Sequence, residues 1–159
     1  MKRNILKVCA ALGLVLTLCV SAPAAAPEFE VLTYPGLQTL VAENKGKVVV
    51  VNFFATWCPP CREEIPGLIN IRKHFGANKL LLIGASIDED DNALRAYMKK
   101  TKFNYPVMKG GDDLVRAAQV RGIPHLLVFD AQGGVAANEG GYVPEETLRT
   151  FLQSLMEAK

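Results

Sequence analysis

The sequence predicts an α/β fold of three layers, with helices on both faces of a mixed central sheet. Segments typical of buried strands alternate with segments at helical spacing over most of the chain. Near the carboxyl end, a glycine-rich turn joins two strand-like segments as a hairpin, which adds antiparallel pairing to the sheet. The length of 159 residues fits one such domain rather than two.

Residues 1–24 have the three-part order of a secretory signal. Met1 to Lys7 is basic, Val8 to Val20 has no charged residue, and Ser21 to Pro27 consists of small residues and proline. The apolar run is shorter than the roughly 20 residues that span a bilayer as a helix. We therefore predict a cleaved signal peptide, with an uncleaved inner-membrane anchor as the alternative, and a single domain over residues 25–159.

The first half of the body alternates helix and strand. Apolar residues between Leu37 and Val41 have helical spacing. The almost wholly apolar, β-branched run Val48 to Phe54 predicts a central strand buried on both faces. A helix is predicted from about Pro59 to His74, and a second buried strand from Lys79 to Ser86.

The second half continues the alternation and ends in the hairpin. The acidic residues Asp88 to Asp91 open a predicted helix that reaches about Lys100, because negative charge suits the positive end of the helix dipole. The remaining predicted elements are a short strand at Tyr105 to Met108, a short helix at Asp112 to Ala118, the hairpin strands Leu126 to Asp130 and Val135 to Gly140, and an amphipathic helix at Pro144 to Met156.

Charge and cysteine content exclude two classes of protein. The full chain carries a formal charge of +2, but three of its basic residues lie in the leader, so the mature domain is nearly neutral. Without a basic patch, nucleic-acid binding has little support. Cys9 and Cys19 also lie in the leader, which leaves Cys58 and Cys61 in the body. Two cysteines cannot build the multi-disulfide framework of a small secreted scaffold.

The motif Trp57-Cys58-Pro59-Pro60-Cys61 lies where the central strand turns into a helix. The N–H groups and the dipole at a helix N-terminus stabilise a thiolate on Cys58. Cys61 follows one turn later on the same face, where it can reach the sulfur of a mixed disulfide. Pro59 and Pro60 cost little at the first helical positions and stiffen the turn. The pattern favours a dithiol that cycles between reduced and disulfide states without a cofactor.

Other interpretations of the cysteine pair have less support. A structural disulfide at this spacing closes too short a loop to stabilise the domain strongly. A zinc site needs four ligands, and the body offers only the two cysteines, His74 and His125. A copper-handling protein that binds Cu(I) through Cys58, Cys61 and His125 is chemically reasonable and stays open as an alternative.

Two segments, Val50 to Pro66 and Val120 to Asp130, resemble the thioredoxin superfamily, and more narrowly the exported TlpA/ResA/DsbE group of thiol:disulfide oxidoreductases. The resemblance spans the body from about Phe29 to Lys159. It implies a thioredoxin fold with the helical segment, near Asp91 to Lys102, that this group inserts in the middle of the fold.

The resemblance assigns roles to the motif residues. It makes Cys58 the nucleophile and Cys61 the resolving cysteine, with Trp57 packed beside them. The Ile123-Pro124 bond resembles the cis-proline bond that faces the cysteines in this superfamily, and it would present the Ile123 backbone to an extended substrate segment.

Three polar positions refine the assignment. Asn52 occupies the position of a buried aspartate in ordinary thioredoxins, and an amide cannot exchange a proton. Glu89 matches the position of a glutamate in the TlpA/ResA group, and burial near Cys61 would suit it to general acid/base work, whereas a solvated place at a helix start would not. His125 departs from the usual residue, and its imidazole could favour the Cys58 thiolate or cap a strand end.

The resemblance and the leader together imply a periplasmic enzyme that reduces disulfides in exported proteins, as in cytochrome c maturation. A membrane thiol electron donor of the CcdA/DsbD type would reduce the Cys58–Cys61 disulfide again, and we expect a monomer. A thiol peroxidase is less favoured, because peroxidases of this superfamily have Thr three residues before the reactive cysteine, where this chain has Ala55.

Overall fold

The computed structural model describes residues 29–158, which form a mixed six-stranded sheet with helices on both faces, so the predicted α/β class is confirmed. The predicted signal peptide over residues 1–24 lies outside the described residues. The elements in chain order are β1 (Val31–Leu32), α1 (Tyr34–Glu43), β2 (Val48–Phe54), α2 (Pro59–Phe75), β3 (Leu80–Ser86), α3 (Asp91–Thr101), β4 (Val107–Gly110), α4 (Asp112–Ala117), β5 (His125–Phe129), β6 (Val135–Gly140) and α5 (Glu145–Glu157).

The sheet has the strand order β1-β4-β3-β2-β5-β6. The pairs β1–β4, β4–β3 and β3–β2 are parallel, whereas β5 runs antiparallel to β2 and to β6. Because β2 lies between β3 and β5 and under helices on both faces, all seven of its residues are buried. This central strand carries the chain directly to the cysteine motif.

Side chains of β2 alternate between two packed layers. Val51 contacts the layer that contains Leu37 of α1 and Leu114 of α4. Val50 points to the opposite face, where Leu68 of α2 and the apolar side of α5 cover it. A third cluster joins Phe54 at the end of β2 to the cysteines and to α3. The cysteine motif is therefore held in the core by packing against β2 and α3.

The helix that carries the cysteines is amphipathic over its whole length. Its buried residues recur at helical spacing and are Cys61, Glu64, Ile65, Leu68 and Ile71. Pro59 and Pro60 occupy its first turn, and Pro66 lies on its exposed outer side. One buried residue in this set, Glu64, is a carboxylic acid.

The observed elements differ from the predicted ones at a few places. Strand β1 was not predicted, because it has only two residues and one of them is exposed. Strand β4 begins at Val107 rather than Tyr105. Helix α3 begins at Asp91, because the Asp90 side chain accepts a hydrogen bond from the Asn92 N–H and caps it. Within residues 29–158, no helix has both the length and the apolar composition to cross a membrane.

Candidate active site

The two cysteines of the motif form a disulfide at the start of α2. The S–S distance is 2.00 Å and the Cα atoms are 5.3 Å apart. Cys58 is the N-cap residue, and its sulfur accepts a hydrogen bond from the Cys61 N–H at 3.2 Å. In the reduced protein the same N–H and the helix dipole would stabilise negative charge on the Cys58 sulfur. Both sulfur-bearing residues are buried, whereas the adjacent Trp57 is 65% exposed.

A second segment faces the disulfide. The Ile123-Pro124 peptide bond is cis, as the resemblance implies. The Ile123 carbonyl oxygen lies 3.7 Å from the Cys58 sulfur. The Pro124 carbonyl accepts a hydrogen bond from the Gly141 N–H at 2.8 Å, which ties this loop to the end of β6. The structure therefore brings Cys58, Cys61, Ile123 and Pro124 together.

A buried aspartate holds the turn that precedes Trp57. The Asp88 carboxylate accepts hydrogen bonds from the Thr56 N–H at 3.0 Å, from the Thr56 hydroxyl at 2.6 Å and from the Ser86 hydroxyl at 2.8 Å. Lys109 donates to the backbone carbonyl of Asp88 and to the side chain of Asp91. From the sequence alone, Asp88 is expected only as one of the acids at a helix start. Its position directly after a buried strand was the available signal for this different role.

Of the two interpretations left open for Glu89, the structure has the solvated one, because its side chain is exposed. Asp88 turns inward to bind Thr56 and Asp90 caps α3, so the residue between them faces solvent. Burial near Cys61, the condition for general acid/base work by Glu89, is therefore not met.

Glu64 is a buried acid that the sequence analysis missed. It is 3% exposed, and it lies three residues after Cys61 on the same buried side of α2. Its Oε2 accepts from Asn52 Nδ2 at 2.9 Å and its Oε1 accepts from the Val143 N–H at 3.0 Å. Burial raises the pKa of Glu64 to about 7, although both hydrogen bonds oppose the rise. Asn52, at the position where ordinary thioredoxins have a buried aspartate, thus donates a hydrogen bond to a buried acid from another element.

The signal that could have revealed Glu64 was its spacing from the cysteines. Cys58, Cys61 and Glu64 recur every three residues, so a helix that buries the cysteines also turns this carboxyl group inward. A glutamate side chain is costly to bury in an apolar core unless its oxygens accept hydrogen bonds. The sequence could not show that Asn52 and the Val143 backbone supply them.

His125 is buried and bound to the neighbouring strand. Its Nε2 lies 2.6 Å from Asn138 Oδ1, and Asn138 Nδ2 donates to the Ala118 carbonyl at 3.1 Å. Because the amide nitrogen of Asn138 is used by Ala118, its oxygen is left to accept from the His125 Nε2–H. The ring also meets Phe53 edge-on, with centroids 5.9 Å apart. This arrangement links β5 to β6, and tuning of Cys58 by His125 stays a prediction.

The copper alternative finds no support in the arrangement of ligands. Across residues 29–158, no three His, Cys, Asp or Glu side chains are grouped so that they could hold a metal ion. His125 therefore does not complete a site with Cys58 and Cys61. A Cu(I) site that uses all three ligands would need their side chains to converge, which this packing does not provide.

Comparison with known proteins gives a consistent result. The chain matches the AhpC/TSA family over residues 23–138. It is 28% identical over 128 residues to thiol-disulfide oxidoreductase ResA of Bacillus subtilis, which covers 80% of this chain and 72% of that relative. It is 29% identical over 132 residues to ResA of Bacillus thuringiensis, covering 82% of this chain and 76% of the relative.

Solved structures agree with the fold. The crystal structure of a thiol:disulfide interchange protein of the thioredoxin family from Chlorobium tepidum has a TM-score of 0.67 and 34% identity, over 72% of this chain and 83% of that one. StoA from Bacillus subtilis has a TM-score of 0.60 at 19% identity, over 69% of this chain and 85% of that one, which supports the fold alone. The thioredoxin-like architecture predicted from the sequence is confirmed.

Proposed function

Because this chain belongs to the AhpC/TSA family of thioredoxin-like proteins and is a thiol:disulfide oxidoreductase, we propose that it reduces disulfides in exported proteins through Cys58 and Cys61. One observation carries the proposal. The Cys58 sulfur lies at the start of α2, bonded to Cys61, and is 3.7 Å from the Ile123 carbonyl at the cis-proline loop. A nucleophile, a resolving group and a backbone edge for substrate thus meet at one point.

The reaction begins from the reduced dithiol. The Cys58 thiolate attacks one sulfur of the substrate disulfide, so that a Cys58–substrate bond forms and the other substrate sulfur leaves as a thiolate. Cys61 then loses its proton and attacks the Cys58 sulfur, which breaks the mixed disulfide and releases the second substrate thiolate. Two electrons pass from the protein to the substrate, whose thiolates take up two protons, and Cys58–Cys61 is left oxidised.

Glu64 is the group best suited to accept the Cys61 proton. It shares the buried side of α2 with Cys61, and with a pKa of about 7 it is partly ionised at neutral pH. A general base works best when its pKa is near the pH at which the enzyme operates. The protonated carboxyl can then return its proton to a leaving thiolate or to solvent.

The surroundings of the disulfide suit an extended polypeptide substrate. A groove lined by Arg121, Gly122, Ile123 and the glycines at the end of β6 runs beside the cis-proline loop. Because glycines have no side chains, a substrate backbone can approach this edge closely. The exposed ring of Trp57, the residue before Cys58, provides further apolar contact area.

The cellular setting of the proposal follows from the leader and from the resemblance. We place the enzyme in the periplasm, delivered by residues 1–24, with retention at the inner membrane as the alternative. The oxidised pair would be reduced by a membrane thiol electron donor of the CcdA/DsbD type, the substrates would include proteins of cytochrome c maturation, and the enzyme would act as a monomer without a cofactor. A thiol peroxidase has less support, because the buried Ala55 offers no hydroxyl at the position where such enzymes have Thr.

Trapping tests the exchange mechanism. In a Cys61→Ser variant the mixed disulfide cannot be resolved, so a disulfide-containing substrate should remain bound to Cys58 and be released by dithiothreitol. The matched control is Cys58→Ser, which keeps one cysteine but removes the nucleophile. Absence of an adduct in Cys61→Ser, or equal adducts in both variants, would overturn the proposal. Mass spectrometry of the trapped partners would name the substrates.

Equilibration with glutathione tests the direction. A reductase should hold a disulfide that glutathione reduces only at a large excess of the reduced form. A Cys58–Cys61 pair that is reduced at low glutathione concentration would instead make the protein an oxidant of its partners. The exchange chemistry would then stand, and the assigned direction would be wrong.

A further inference from the structure

Two buried polar atoms near Glu64 have no hydrogen-bond partner among residues 29–158. They are the Oδ1 of Asn52 and the hydroxyl of Tyr105, whose residues are 1% and 6% exposed. A buried polar atom without a partner is costly, and native proteins rarely tolerate one without a reason. Phenylalanine would fill the same space as Tyr105 without this cost. The hydroxyl therefore calls for an explanation.

Packing puts the two atoms on one face of the sheet, under α2. Asn52 pairs in register with Gly84 on β3. A Cβ added to Gly84 would lie 3.4 Å from Cε2 of the Tyr105 ring, so this ring occupies the space above the glycine. The Asn52 side chain points to the same side, where its Nδ2 donates to Glu64. Tyr105 and Asn52 are thus neighbours beneath the Glu64 carboxyl group.

The charge of Glu64 affects the ionisation of Tyr105. Burial raises the pKa of the Tyr105 phenol well above its usual range, and the negative charge of Glu64 adds to the rise, with a smaller contribution from Tyr97. The phenol therefore keeps its proton and remains a hydrogen-bond donor. The titratable groups that face this cluster are Cys61 and Glu64 on α2, Tyr97 on α3, and Tyr105 before β4.

The unused hydrogen-bonding capacity of the three groups is complementary. Tyr105 has a donor, Asn52 Oδ1 is an acceptor, and each Glu64 oxygen accepts only one of the hydrogen bonds it can take. The hydroxyl and the carboxylate do not bond directly. A single water molecule could accept from Tyr105 and donate to both Asn52 and Glu64, and buried waters typically have about three such partners.

We propose that Tyr105 and Asn52 are positioning residues that hold one buried water molecule against the Glu64 carboxylate, and so stabilise the ionised form that receives the Cys61 proton. The inference rests on the proposed function and deepens it. One proton moves, from the Cys61 sulfur to a Glu64 oxygen, and the water keeps its own protons. Loss of the Tyr105 hydroxyl would leave the water without its donor and the carboxylate less stabilised.

The test is an NMR titration of the Glu64 carboxyl carbon in the oxidised protein. Tyr105→Phe removes only the hydroxyl and should raise the midpoint by about one pH unit, the size expected for a lost hydrogen bond to a charged group. The matched control is Tyr97→Phe, which removes a hydroxyl from the same aromatic cluster and should leave the midpoint within about 0.2 units. An unmoved or lowered midpoint in Tyr105→Phe would overturn the inference.

Two further measurements accompany the titration. Asn52→Leu removes the direct Nδ2 hydrogen bond to Glu64 as well as the second partner of the water, so it should raise the midpoint by more than Tyr105→Phe does, and an equal or smaller rise would contradict the arrangement. A high-resolution crystal structure should show the water in the wild type and lose it in Tyr105→Phe; a dry site in the wild type would contradict the inference. Because the titration uses no substrate, failure of trapping by Cys61→Ser would overturn the proposed function alone.

Discussion

Replacing Glu64 by glutamine should change how the stability of the oxidised protein depends on pH. The folded protein holds a proton on Glu64 up to about pH 7, whereas an unfolded glutamate releases it near its ordinary pKa of 4.5. Between these values the native state binds more protons than the unfolded state, so the free energy of unfolding falls as the pH rises. A glutamine at this position does not titrate, and the variant lacks this decline.

The size of the effect follows from the pKa shift. A rise of the Glu64 pKa from 4.5 to about 7 lowers the free energy of unfolding of the wild type by about 3 kcal/mol at pH 8, at about 1.4 kcal/mol per pKa unit. Glu64 is 3% exposed, so solvent screens little of this penalty. The substitution also alters the hydrogen bonds with Asn52 and Val143, but that change is the same at every pH. The free energy of unfolding of Glu64→Gln, relative to that of the wild type, should therefore rise by about 2 to 3 kcal/mol between pH 5 and pH 8.

Urea denaturation of both oxidised proteins at pH 5, 6, 7 and 8 measures this difference. The matched control is Glu89→Gln, which removes an exposed carboxyl group near the site and so separates the effect of burial from the loss of a carboxyl group as such. If the wild type and Glu64→Gln lose stability in parallel, to within about 0.5 kcal/mol, Glu64 ionises normally in the folded state and the reasoning from burial is refuted.

Three further predictions concern the surroundings of the site. Asp88→Asn should lower the free energy of unfolding by about 3 kcal/mol in urea, because it weakens hydrogen bonds to a buried carboxylate, whereas Asp90→Asn should change little since Asn also caps helices. Gly84→Ala should cost about 1 to 3 kcal/mol by the same assay, because its Cβ would lie 3.1 Å from Phe54 Cε1; unchanged stability would mean that the ring moves freely. Trp57→Ala should alter stability by less than about 0.5 kcal/mol but slow exchange with a protein disulfide about tenfold, and equal rates would exclude a contact role for this 65% exposed ring.

Much of the fold was predictable because its signals are local. The run Val48 to Phe54 is apolar at every position, and a strand buried on both faces is the arrangement that needs this composition. The turn after Asp130 and the helical spacing of the last helix are likewise set by neighbouring residues. Strand β1 escaped prediction, because two residues are too few for any periodicity and its pairing with β4 joins distant segments.

In the candidate site, too, some residues could be predicted from the local sequence and others could not. The cysteine motif could be identified from a short segment, because its chemistry depends on spacing within one turn of helix. The cis bond before Pro124 was expected from the family resemblance, since the local sequence alone indicates only a proline at the start of a strand. The acids could not be assigned, because burial depends on elements that are distant in sequence. Glu64 receives its hydrogen bonds from Asn52 and from Val143, which are 12 and 79 positions away.

Local patterns along the chain were enough to predict the alternation of strands and helices, the position of the reactive pair at a helix start and the class of chemistry. Which carboxyl group lies in the core on the Cys61 side of α2 depends instead on packing between segments that are distant in sequence. Three acids, Glu64, Asp88 and Glu89, lie close to the motif or to the strand beside it. Packing buries the first two among hydrogen-bond donors and leaves the third in solvent, and burial raises the pKa of Glu64 to about 7.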